Sequence, residues 1–121
     1  METGTVKFQK LQENVIIWAK EKGIFKKGNP LAQSEKGIEE ANELKEAVFA
    51  KQNGLSEFLN SKQELKNTKK EIKDAIGDRF VTLIISAEFE NLDILDCLES
   101  AYNVISKRKG EMIDGKFVKD E

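Results

Sequence analysis

Apolar residues recur along this chain at spacings of three and four, between stretches rich in lysine and glutamate, and that rhythm predicts helices. Phe8, Leu11, Val15 and Trp18 form a stripe for a first helix from about Val6 to Lys22, which Gly23 ends. The segment GIFKKGNP, residues 23–30, reads as a loop punctuated by Gly23, Gly28 and Pro30. A second helix runs from about Leu31 to Lys51, opened by Pro30 and closed by Asn53-Gly54, with Ile38, Leu44, Ala47 and Val48 as its apolar seam. From Leu55 to Asn67 the periodicity weakens, and the stretch reads as a connector.

A third helix is expected over about Thr68 to Glu90, with Ile72, Ala75, Ile76, Leu83, Ile84 and Ala87 on its inner stripe and the run FVTLIIS nearly enclosed. Gly77 sits inside it at a cost of about 1 kcal/mol against alanine, which makes sense if a helix or ligand approaches closely there. A fourth helix over about Leu92 to Lys109 takes Leu95, Leu98, Ala101 or Tyr102, and Ile105 as its inner face. The basic cluster Lys107, Arg108 and Lys109 then suits its last turn. In the tail, Asp114-Gly115 between short apolar runs predicts a small β-hairpin. The expected architecture is all-α, a bundle of four to five helices in one domain spanning 1–121, with that hairpin at its end.

Composition narrows the chemistry. There is no histidine, which excludes His-based triads and His-ligated zinc. Cys97 is the only cysteine, so no internal disulfide can form, and a reducing, cytoplasmic setting is expected with Cys97 as a small core residue. A formal charge of −2 gives no bulk reason to expect nucleic-acid binding. No apolar run reaches the roughly 18 residues that would predict a membrane span.

The acids are distributed less evenly than the charge implies. Glu39, Glu40, Glu43 and Glu46 crowd one stretch of the second helix, and Glu71, Asp74 and Asp78 share a face of the third within about 60°. Like charges at these spacings cost a helix a few tenths of a kcal/mol per pair. Such a face is either well solvated or holds a cation. If the two faces oppose each other, Glu40, Glu43, Asp74 and Asp78, with Glu39 and Glu71 alongside as support or general base, make an all-oxygen site for Mg²⁺ or Mn²⁺. That chemistry fits phosphoanhydride hydrolysis, with room for more than one ion and with Lys107 or Arg108 neutralising phosphate charge. Lys36, one turn before Glu40, either relieves repulsion or reaches a substrate phosphate; Trp18 is either the largest core residue of its helix or a base-stacking platform.

Three segments in order, KGIEEANEL (36–44), DAIGD (74–78) and AYNVISKRKG (101–110), together with the GKFVK ending (115–119), resemble the MazG-like nucleotide pyrophosphohydrolases. These belong to the all-α NTP pyrophosphatase group, and the likeness is to its short, single-domain, phage-type members. The resemblance implies Mg²⁺-dependent cleavage of a nucleoside triphosphate between the α and β phosphates. It places the family's E-x-x-E on Glu40 and Glu43. The later E-x-x-D either ends at Asp78, with Ala75 where the glutamate would stand and the acid displaced to Asp74, or falls on Glu71 and Asp74 with Asp78 as an additional ligand. It also implies phosphate-side roles for Asn103, Lys107 and Arg108, and a homodimer or homotetramer. A pyrophosphatase for dUTP or dCTP, and a non-catalytic helical oligomer that keeps the scaffold, are the alternatives, the latter because of Ala75.

Overall fold

The computed structural model describes residues 3–53 and 61–121, with side chains of the second stretch described from 68 onward. The order is α1 (Gly4–Glu21), α2 (Ile24–Lys27), α3 (Pro30–Asn53), α4 (Ser61–Phe89), α5 (Ile94–Ile105), then β1 (Gly110–Ile113) and β2 (Lys116–Lys119). The all-α expectation holds, with a two-stranded hairpin at the end. No helix among the described residues is long and apolar enough to cross a membrane.

Local chemistry explains most boundaries. Thr3 caps α1 by accepting from the Val6 amide at 3.1 Å. Gly23 takes a positive φ of 78° between α1 and α2, a conformation costly for any residue with a Cβ. The expected loop after it contains a one-turn helix, α2, held to α4 by an edge-on contact between Phe25 and Phe89 with ring centroids 4.9 Å apart. Asn29 caps α3 through the Ala32 amide at 2.8 Å, and Pro30 occupies the first helical position.

The connector expected over Leu55–Asn67 lies partly outside the described residues; from Ser61 onward the backbone is already α4. The last helix is shorter than expected. Asp93 caps it by accepting from the Leu95 amide at 2.7 Å, and it ends at Ile105, so Lys107, Arg108 and Lys109 stand beyond its last turn rather than in it. In the hairpin Asp114 and Gly115 both take positive φ, and Ile113 pairs with Lys116, which is the two-residue turn that Asp-Gly favours.

The helices are turned differently from their apolar stripes. The main contact is α3 against α4, with α1 packed on α4 through Phe8 and Phe80 (edge-on, 5.6 Å). On α1 the buried positions are Gln12 and Ala19, while Leu11 and Trp18 are exposed. On α3 they are Gln33, Gly37 and Glu40; Ile38 is exposed and Leu44, Ala47 and Val48 are half-buried. On α4 Ala75, Thr82, Ile84, Ile85 and Ala87 are buried, whereas Ile76 and Leu83 face solvent. The apolar face of α5 is also open, with Leu98, Tyr102 and Ile105 exposed and only Ile94, Leu95 and Cys97 half-buried.

At Gly77 no described residue lies within 4 Å of the position its Cβ would take, so no described helix makes the close approach expected there. The close approach occurs at Gly37, where a Cβ would meet the Arg79 guanidinium at 2.9 Å and the Thr82 hydroxyl at 3.5 Å. There Arg79 Nη1 donates to the Gly37 carbonyl, and Thr82 Oγ1 donates to the Arg79 carbonyl at 2.6 Å. A glycine on α3 thus lets α4 lean in, and a guanidinium staples the crossing.

Candidate metal centre

The crossing at Gly37 governs what happens one turn further along α3. Glu40 follows Gly37 on the same inward face, and Asp78 precedes Arg79 on α4. With the helices that close, Glu40, Glu43 and Asp78 each offer a carboxylate oxygen, all within 4.8 Å of one another. Glu40 is only 8% exposed, while Glu43 and Asp78 lie at the solvent edge.

Lys36 supplies partial neutralisation. Its Nζ lies 3.1 Å from the exposed Glu39 and 3.4 Å from Oε1 of the buried Glu40, each one turn further along α3. These pairs, Glu39 foremost, push the Lys36 ammonium above its ordinary range, so it stays charged at neutral pH. The other Glu40 oxygen, Oε2, is buried without a hydrogen-bond partner. An orphaned buried carboxylate oxygen beside two further carboxylates is costly, and a hard cation resolves the cost by accepting all three. The donor set therefore fits a divalent, oxygen-loving ion. It is an all-oxygen set, with no sulfur or nitrogen ligand.

The Glu43 carboxyl is raised above the ordinary carboxylate value, first because its protonated form can donate a hydrogen bond to Glu40 and then by Glu40 as a like charge. Burial and Asp78 push the same way, and Lys36 opposes them. An acid whose folded value is raised binds more protons folded than unfolded just above its ordinary range. Metal-free protein should therefore gain stability as pH falls through the raised Glu43 range and level off below about 4.5, the ordinary value. Metal affinity should move the opposite way, since protons and the ion compete for Glu43. Melting curves from pH 4 to 8, with and without Mg²⁺, check both signs.

The remaining expected residues fall into two groups. Asp74 and Glu71 line the next groove along the helix pair, together with Glu43 and Glu46, so they adjoin the three-carboxylate cluster without joining it. Trp18 borders a cavity of about 200 Å³ that Lys36, Glu40 and Asp78 also line. Asn103, Lys107 and Arg108 are exposed on α5 and the turn after it, and they line neither the groove nor the cavity.

Four contributors escaped sequence reasoning: Gly37, Arg79, Gln33 and Thr82. Gln33, Gly37 and Glu40 are spaced by four and three, a helical row that only becomes visible when polar residues and glycine are allowed inside. No family model matches this chain, and no curated protein or solved structure matches it.

Proposed function

We propose that the chain is a metal-dependent nucleoside triphosphate pyrophosphohydrolase, releasing a monophosphate and pyrophosphate. The observation that carries the reading is Glu40 Oε2, buried and unpartnered among the described residues within a three-carboxylate cluster, two of whose members, Glu40 and Asp78, line a cavity. The resemblance in sequence adds the substrate class. Glu40, Glu43 and Asp78 hold the ion, with Asp74 available from the adjoining groove. When bound, Mg²⁺ or Mn²⁺ supplies Lewis-acid polarisation of the phosphoryl oxygens.

The chain's own residues do the rest. Lys36, paired with Glu39 and Glu40, would be the cation beside the ion site able to hold a phosphate oxygen. Glu39, which pairs with Lys36, and Glu71, in the adjoining groove, would be the carboxylates to accept the proton of the attacking water in this reading. Trp18, which lines the same cavity, would offer its aromatic surface to a base.

The protein also works as a homo-oligomer in this reading. Its accessible surface is 9974 Å², against about 6,600 Å² for a compact monomer of this mass. Leu98, Tyr102, Val104 and Ile105 on α5, and Met112 and Phe117 on the hairpin, are all more than half exposed. Asn103, Lys107 and Arg108 sit among these residues, so their phosphate contacts come from a second copy.

A pyrophosphate-release assay over NTPs and dNTPs, in Mg²⁺ and Mn²⁺, tests the activity. Metal-dependent release is expected, lost in Asp78→Asn. A panel led by dUTP or dCTP would narrow the substrate to a deoxynucleotide. No release with any nucleotide from protein that melts cooperatively overturns the hydrolase and leaves the non-catalytic scaffold.

A further inference from the structure

The two apolar surfaces left open at the C-terminal end carry opposite charge around them. On α5, Leu98, Tyr102 and Ile105 recur at intervals of four and three, one exposed stripe along the helix, and Glu99 borders it one turn before Tyr102. Residues 88–106 carry five carboxylates and no lysine or arginine. The arm that follows, residues 107–119, carries five lysines or arginines against two acids. Across the hairpin Met112 pairs with Phe117 and Gly110 with Lys119, so these four residues share one face. The Phe117 ring is seated over Gly110, where an added Cβ would lie 2.7 Å from it.

The hairpin lacks the support such a structure needs. Every residue of its strands is exposed, and two strands alone are marginally stable in water unless they pack on a helix or a further strand. It does not cover α5 of its own copy. Its root is tied to the end of that helix: the Lys107 amide donates to the Val104 carbonyl at 3.2 Å, and the Arg108 amide to that of Ile105 at 3.1 Å. The Asp120 amide closes the base of the hairpin on the Lys109 carbonyl at 2.9 Å. With the root so placed, the α5 stripe and the Met112–Phe117 face stand open together.

We propose that the C-terminal hairpin is an exchanged arm, whose Met112–Phe117 face lies on the Leu98–Tyr102–Ile105 stripe of a second copy while the second copy's arm returns the contact. A two-fold dimer makes this contact twice. Charge selects the occupant. A basic arm meets an acid-bordered helix, with Lys119 and Glu99 beside the two apolar patches, whereas stripe on stripe or arm on arm would bring like charges together. The contact uses the face of the hairpin and not its edge, because Lys116 and Lys119 on β2 discourage the addition of a strand. The hairpin thereby gains the helix that it lacks. This contact rests on the homo-oligomer proposed above, but not on the hydrolase.

Sedimentation equilibrium of the full-length protein, without nucleotide or metal, tests it. Wild type should dimerise, more weakly as salt rises. Phe117→Ser and Tyr102→Ser should each raise the dissociation constant about tenfold or more, and the double variant by less than the product of the two. Helical content by circular dichroism should stay at the wild-type level in each. Glu99→Lys and Lys119→Glu should each weaken the dimer at low salt, and an equal mixture of the two should form it again, since each arm then finds an opposite charge. Wild type that stays monomeric at every concentration overturns the proposal together with the homo-oligomer. A dimer that Phe117→Ser leaves intact, or that the mixture fails to restore, overturns arm exchange alone; pyrophosphate release decides the hydrolase separately.

Discussion

Glu40→Gln is expected to abolish metal-dependent hydrolysis and, in the same protein, to raise the melting temperature measured without metal. The two signs come from one oxygen. In the metal-free protein Glu40 Oε2 is buried with no partner, and its charge sits within 4.8 Å of two other carboxylates. A glutamine keeps the shape, removes the charge and gives that position an NH₂ donor aimed at Glu43 or Asp78. Losing the Lys36 pair subtracts little, since that lysine is half exposed and keeps Glu39. A net gain of about 1 kcal/mol, or roughly 3–6 °C, is expected by calorimetry in a chelating buffer. With Mg²⁺ at about a hundred times its dissociation constant, wild type should gain about 2.7 kcal/mol, and the variant almost none. Turnover should fall by more than about 100-fold, since a direct ligand matters more than the outer partners whose loss costs 10–100-fold. A variant that is less stable than wild type without metal, yet still stabilised by it, would show that Glu40 is a structural acid.

Gly37→Leu carries the second large effect, and it acts on stability and metal binding together. The Cβ of any residue at this position lies 2.9 Å from Arg79 Nη1, so the guanidinium must leave the Gly37 carbonyl. Alanine demands no more than that. It gains about 1 kcal/mol of helix propensity and loses a charge-assisted hydrogen bond of about 1.5–3 kcal/mol, for a net loss of about 1. Leucine adds overpacking against Thr82, worth a further 1–3 kcal/mol or so, and forces α3 and α4 apart. The expected cost is about 3 kcal/mol in chemical denaturation, with the metal-induced stabilisation reduced because Glu40 and Asp78 no longer meet. Arg79→Met provides the internal control. In that background Gly37→Ala should no longer be destabilising, and the double-mutant cycle isolates the staple.

Much of the architecture was legible in the sequence, because helix boundaries and the hairpin depend on local chemistry. Pro30, Gly23 and Asp114-Gly115 each act within a few residues of themselves. The acidic pairing of the second and third expected helices was legible too, as a spacing of like charges that needs explaining, and Glu40, Glu43 and Asp78 do converge. What periodicity could not supply is rotation about the helix axes. It assumes that apolar means inward, yet Gln12, Gln33 and Glu40 are among the buried positions on α1 and α3 while Leu11, Trp18 and Ile38 face out. Two demands share one helix surface: the site draws polar groups inside, and apolar groups are left for another surface. The same confusion affected the glycines. Gly37 and Gly77 are equally plain as letters, and only the crossing of α3 with α4 distinguishes the one that is needed.

The open apolar face of α5 has a thermodynamic corollary. Leu98, Tyr102, Val104 and Ile105 stand in water, apolar area whose burial would be favourable in the proposed oligomer. If the proposed oligomer forms through this face, folding and assembly share one equilibrium, and the free energy of the native state contains a term in the logarithm of protein concentration. The melting temperature should climb with each tenfold increase in concentration, and refolding should acquire a second-order phase that slows on dilution. For such a protein, stability is a property of the solution as much as of the sequence.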